Sequence, residues 1–120
     1  MKPYQRAALA LAVLKLETNN TKRNIYDYTQ SYYPRISGHA DKECIKFFDY
    51  DRNTYFEGRF NGGEYRLYDY GHGEYISIKQ KSAGCYEGYH YGSGRYYSIA
   101  CQGNNVSFYD YGTALYYNYA

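Results

Sequence analysis

The sequence has no tryptophan, two prolines, one methionine and three cysteines in 120 residues. Beyond residue 24 aliphatic side chains are scarce as well, so a core in that region has to be built largely of aromatic rings. Buried tyrosine needs a partner for its hydroxyl, which favours a thin structure whose ring edges reach water. Neither sign of charge is in excess: 14 Lys and Arg against 12 Asp and Glu leave a net charge of +2, with the basic residues dispersed. That pattern lacks the electrostatic footprint of nucleic-acid binding or of attraction to anionic lipid. The longest apolar run, Ala7 to Leu14, is too short to span a bilayer, so no transmembrane segment is expected.

The chemistry-bearing motifs are missing too. There is no Cys-x-x-Cys, and His39, His72 and His90 fall in or beside turns without the close spacing of zinc ligands. No Ser, Cys or Thr stands in an elbow-like context for nucleophilic catalysis. The expectation is therefore no enzyme activity, no metal and no cofactor. Cys44 and Cys85 occupy equivalent positions two repeats apart, which in a stacked solenoid means about 10 Å. A disulfide spans no more than about 7 Å between Cα atoms, and an odd count leaves one thiol over in any case. Buried free thiols in a reducing compartment fit better. Lys2 and Arg6 precede the apolar run as in a secretory signal, but Leu14-Lys15-Leu16-Glu17 offers no small-residue cleavage site. A cytoplasmic address is favoured, with secretion as the alternative.

What the sequence has in abundance is tyrosine: 21 residues, all but Tyr4 from Tyr26 onward. A phrase of aromatic, Asp and Tyr recurs as Tyr26-Asp27-Tyr28, Phe48-Asp49-Tyr50, Tyr68-Asp69-Tyr70, Tyr89-His90-Tyr91 and Tyr109-Asp110-Tyr111. A second Tyr follows each at one fixed offset: Tyr33, Tyr55, Tyr75, Tyr96 and Tyr116. Five matches at one offset mark a tandem repeat of 20 to 22 residues.

Two regions follow from this. Residues 1–23 form an apolar helix and linker, and residues 24–120 form a five-repeat, Tyr-rich β domain. Pro3 suits a first helical turn, Arg6 to Glu17 contains no Gly or Pro, and Asn19-Asn20 is a plausible stop. A helix without a polar face has to be covered, by its own sheet or by another subunit.

In the repeats the period changes to that of strands. In Arg66-Leu67-Tyr68-Asp69-Tyr70 the residues Tyr68 and Tyr70 share one face, with Leu67 and Asp69 on the other. A four-residue turn then places Tyr70 opposite Tyr75 and brings Ile76 and Ile78 to the Leu67 face. One face should carry tyrosine rows. The other should carry Ile25, Phe47, Leu67 and Phe108 with Phe56, Ile76, Tyr97 and Tyr117. Between repeats, turns are expected at 38–41, 61–63, 82–84 and 103–105. The fold class is all-β: five strand-turn-strand units after one N-terminal helix. They form either a β-solenoid or an antiparallel hairpin meander or barrel. The solenoid is preferred because it stacks identical residues into ladders.

The segment Leu14-Lys15-Leu16-Glu17-Thr18-Asn19-Asn20 leading into Asn24-Ile25-Tyr26-Asp27-Tyr28 resembles short uncharacterised bacterial proteins with tandem Tyr-Asp-Tyr repeats. That resemblance implies an architecture and no activity. In period alone, the five units resemble curli-type amyloid subunits. Tyr55-Phe56-Glu57-Gly58-Arg59-Phe60-Asn61-Gly62-Gly63 resembles the start of a MORN hairpin, and Gly94-Arg95-Tyr96-Tyr97 a choline-binding repeat with Tyr where that family has Trp.

Two readings of the repeat remain open. Asp27, Asp49, Asp69 and Asp110 form either a cation-binding row or a set of turn caps accepting their own backbone amides, the reading favoured. The leading functional expectation is a structural protein that self-associates into an oligomer or filament. It would use Leu9, Val13 and Leu16 of the helix and the rows Tyr68, Tyr70, Tyr75, Tyr89, Tyr91, Tyr96, Tyr109, Tyr111 and Tyr116. The stretch Ala114–Ala120, which has no Pro or Lys to guard it, is the expected sticky edge. The alternative is a small binding module whose tyrosine rows take carbohydrate or cationic head groups.

Overall fold

The computed structural model describes residues 1–120: one helix, α1 (Pro3–Thr18), followed by nine strands. These are β1 (Ile36–Ala40), β2 (Cys44–Asp49), β3 (Thr54–Asn61), β4 (Glu64–Asp69), β5 (Glu74–Ser82), β6 (Cys85–His90), β7 (Arg95–Gln102), β8 (Asn105–Asp110) and β9 (Leu115–Tyr119). Every strand pairs antiparallel with the next, in the order β1 to β9. The architecture is therefore the meander, not the solenoid. A solenoid needs equivalent strands of successive repeats side by side, and here each repeat folds back on itself first.

α1 starts at Pro3, whose missing N–H costs nothing in a first turn. The Gln5 side-chain oxygen accepts the Lys2 N–H at 2.8 Å. The helix stops where Asn19 and Asn20 turn left-handed, at φ 53° and 62°, and Asn20 N–H donates to the Lys15 carbonyl. Between these ends every residue from Tyr4 to Lys15 is buried. The cover is the sheet itself, curled into a half-barrel around the helix. Side chains of α1 or its linker bond to β1, β4, β5 and β6, and Arg6 reaches β8 and β9. Leu9 and Val13 are at 0% exposure and Leu16 is half-buried, so the helix does not present its apolar surface to another subunit. One core cluster unites the two regions of the sequence.

The inward stripe is the expected one: Ile25, Phe47, Leu67, Phe108, Phe56, Ile76, Tyr97 and Tyr117 are all buried. In the fourth repeat Gly88 takes the place of Phe47 or Leu67, and Tyr97 fills the space. The Tyr97 ring lies against Gly88 and stacks on Phe108 at 5.0 Å, and its hydroxyl donates to the Ser77 carbonyl at 2.7 Å. That bond answers the hydroxyl's need for a partner.

The register corrects one expectation. Tyr75 stands opposite Tyr68, and Tyr70 lies in the turn. The turn begins earlier because Asp69 closes it, with its side chain accepting from Gly71 N–H and its carbonyl from Gly73 N–H. The first inter-repeat turn also lies later than expected, after Ala40, because Gly38 to Ala40 belong to β1. The third interval, one residue longer than its neighbours, is taken up by a bulge between Gln80 and Ser82.

The last strand is not left bare. Tyr26 N–H donates to the Ala120 carbonyl (2.6 Å), Ala120 N–H returns to Tyr26 (3.1 Å), and Tyr28 N–H reaches Asn118 (3.2 Å). On its other side the same segment pairs with Tyr32 through Asp27. The first repeat thus sits against the final strand, guarding the edge that Ala114–Ala120 had promised to expose.

Candidate functional site

Strand alternation sends Asp27, Asp49, Asp69, His90 and Asp110 inward at the rim that holds the N-terminus of α1, and the tyrosines outward. The inner set caps turns. Asp27 accepts Thr29 and Gln30 N–H, Asp49 accepts Asp51 and Arg52 N–H, and Asp110 accepts Gly112 N–H, all within 3.2 Å. His90 substitutes its ring nitrogen, taking Ser93 N–H.

Its second oxygen lets Asp69 do more than cap a turn. It accepts the Tyr4 hydroxyl (2.5 Å) and Gln5 (2.7 Å), and Gln5 also donates to Glu74, which holds His90 at 2.9 Å. Arg6 lies 3.7 Å from Asp110 and over the Tyr117 ring; Arg52 covers the Tyr4 ring. Carboxylates gathered at a helix N-terminus also complement its dipole. Burial alone would raise the Glu74 pKa, but the bonds from Gln5 and His90 outweigh it and hold the carboxyl below its ordinary value. Burial and the Asp69 carboxylate push the Tyr4 phenol well above its ordinary range. Burial and nearby Arg23 lower Lys15. This network anchors the helix; it is occupied by the protein's own groups. Tyr4, Gln5 and Glu74 were not singled out from sequence, and Arg6 only as a charge ahead of the apolar run. The signal for them was Gln5-Arg6 heading an otherwise apolar helix.

The outer face carries five aromatic triads. In each, the first ring is clasped by the two that follow, edge-on except for the tilted Tyr116: Tyr68 by Tyr70 and Tyr75, Tyr89 by Tyr91 and Tyr96, Tyr109 by Tyr111 and Tyr116. Tyr26 and Phe48 are clasped in the same way. Centroids in all five are 4.7 to 5.1 Å apart. The sequence-predicted tyrosines are thus brought together, each trio within its own hairpin. The flanking rings stay exposed, Tyr96 at 65% and Tyr116 at 68%.

Beside the triads runs a belt of charge pairs, including Lys46–Glu57, Arg66–Glu64 and Glu87 between Lys79 and Lys81 at 3.6 Å each. Two clefts open where the fourth triad meets this belt. One, of about 390 Å³, is lined by Tyr89, Tyr91, Tyr96, Ser77, Lys79 and Glu87. Another, of about 450 Å³, is lined by Tyr96, Tyr111, Arg95, Ser98, Lys81 and Glu87. Tyr96 and Glu87 line both.

The thiols are free, but Cys85 is exposed and Cys44 and Cys101 only partly covered, contrary to the expectation that they are buried. No helix is long and apolar enough to cross a membrane. No family model, curated protein or solved structure matches this chain.

Proposed function

We propose that the protein is a non-enzymatic binding module whose outer tyrosine triads take a neutral carbohydrate. The observation that carries this reading is the pair of clefts sharing Tyr96, each with aromatic walls and a floor of mixed charge. Exposed rings offer stacking surface to the C–H faces of a sugar, and the Lys, Glu and Ser side chains offer donors and acceptors to its hydroxyls. A cationic head group suits the clefts less well, because Glu87 is already neutralised by two lysines. Every triad position except Phe48 carries a hydroxyl, and the hydroxyls of Tyr68, Tyr70, Tyr75, Tyr89, Tyr91, Tyr96, Tyr109, Tyr111 and Tyr116 have no partner within the protein.

Titration with a panel of neutral oligosaccharides, read by tyrosine fluorescence and calorimetry, tests this. Saturable binding that Tyr96→Ala abolishes supports it, and a flat response across the panel removes it. Self-association is the second reading, favoured by Tyr111 and Tyr116, exposed at 56% and 68% on the outer face around Tyr109. It predicts a sedimentation coefficient that rises with concentration and falls back in Tyr116→Ser. Homo-oligomers would then form through tyrosine faces, with the helix playing no part.

A further inference from the structure

Away from the triads, the β1–β2 hairpin gathers three different ligand-bearing side chains. His39 leaves β1 outward, Asp41 opens the turn, and Cys44 begins β2. The His39 Nε2 lies 3.6 Å from the Cys44 sulfur and 3.8 Å from the Asp41 Oδ2, and all three ligand atoms lie within 4.8 Å of one another. We propose that His39, Asp41 and Cys44 form a binding site for a divalent zinc-class metal ion.

Three observations support it. Thiol and carboxylate approach the same imidazole nitrogen, Nε2. A catalytic Cys-His-Asp relay would instead engage both ring nitrogens, the carboxylate on one and the thiol on the other. A shared nitrogen is what a common metal requires. Secondly, zinc bound at about 2.0–2.1 Å to nitrogen and about 2.3 Å to sulfur in a tetrahedron separates those two ligands by about 3.6 Å. The observed nitrogen–sulfur spacing matches this, while the Asp41 oxygen, 3.8 Å from the nitrogen, has to close on the ion. Thirdly, the backbone beneath is held from both sides. Asn20 clamps the N–H and carbonyl of Ala40, between His39 and Asp41, and the Tyr65 hydroxyl donates to the Asp41 carbonyl at 2.6 Å. The Asp41 Oδ1 takes the N–H groups of Glu43 and Cys44, leaving Oδ2 to turn toward His39.

A nitrogen, oxygen and sulfur donor set suits zinc over magnesium or calcium, which take oxygen. His39 and Asp41 are half-exposed, so an ion has a path in and the fourth position stays open to water. On binding, the Cys44 thiol gives its proton to solvent and the thiolate forms the metal–sulfur bond. The sequence pattern His-x-Asp-x-x-Cys gains this meaning only once the hairpin folds it.

The test is cobalt(II), a spectroscopic stand-in for zinc, titrated into the full chain. One equivalent should bind with a thiolate-to-cobalt charge-transfer band, displaced by zinc. Cys44→Ser should lose the band, and His39→Ala and Asp41→Asn should weaken binding about tenfold or more, outer-shell losses alone reaching that size. Cys85→Ser and Cys101→Ser should leave it unchanged. A band that survives Cys44→Ser, one that vanishes with Cys85→Ser, or no band at all would each overturn the site. Circular dichroism of the variants keeps a folding defect distinct from a lost ligand.

Discussion

The two faces of the curled sheet obey different rules. On the inside, equivalent positions hold residues of unequal size: Ile25, Phe47, Leu67, Gly88 and Phe108 in one column, Phe56, Ile76, Tyr97 and Tyr117 in the next. On the outside the same repeats hold Tyr almost without exception. The inner layer must fit a helix that does not repeat, so each strand meets a different surface and its volume is adjusted locally, as Tyr97 is to Gly88. The outer triads pack only within their own hairpins and meet the same surroundings each time. Uniformity outside and variety inside thus come from one cause: a repeating sheet wrapped around a non-repeating plug.

The contrast can be broken by mutation. Leu67→Ala, at 0% exposure, should cost about 2–5 kcal/mol in urea unfolding, the range for large-to-small core changes. Gly88→Ala should cost about 1–3 kcal/mol by overpacking, since the new Cβ meets the Ser77 carbonyl and the Tyr97 ring. Adding Tyr97→Phe should restore little, because the Ser77 carbonyl remains in the way. If Gly88→Ala is silent instead, the inner volumes are not matched in the way described.

Titration sharpens the same comparison. Burial raises the phenol pKa values of Tyr97 and Tyr119, and burial with a carboxylate partner raises those of Tyr4 and Tyr86. Folding therefore favours their protonated forms. The associated stability is complete below the ordinary phenol value of 10.0 and is lost as pH climbs above it. Alkaline unfolding monitored by circular dichroism should begin above that pH, and Tyr97→Phe should lower stability at neutral pH but lose less of it as the pH climbs. A loss as steep as in the parent protein would assign the transition to other groups. The smallest effect is expected outside: Tyr75→Ala, opposite Tyr68, should cost under about 1 kcal/mol, the usual worth of a cross-strand pair. A cost equal to that of Leu67→Ala would make the triads structural staples and weaken the binding reading.

The helix bounds and the buried stripe were legible because alternation and capping are local; five strand-turn-strand units imply ten strands, and nine form because the segment around Asp27 makes only isolated bridges. Leu67 and Ile76 read as inward from their neighbours alone. The pairing of Tyr75 with Tyr68 was not legible, because the turn's start depends on the hydrogen bonds of Asp69. Nor was the meander, since stacked and folded-back repeats share one periodicity. The helix was seen to need a cover, but its length and composition fit a subunit interface as well as a half-barrel. The inner network was missed because its members are scattered: Gln5 meets Asp69 and Glu74 only through the curl. His39 and Cys44 were each read alone, and nothing short of the hairpin register puts them together.

The bonds between Tyr26 and Ala120 also set an order in time. Each hairpin needs only its own residues and can form early, within the microseconds typical of such units. Seating the first repeat against the last strand has to wait for all of them, across nearly the whole length of the β domain, and contacts of that span form slowly. Until then the cover that α1 and the inner stripe give each other is incomplete, and apolar surface of both meets water. The refolding protein should therefore pass through a stage rich in strands yet sticky to hydrophobic dyes, ending when the final strand docks.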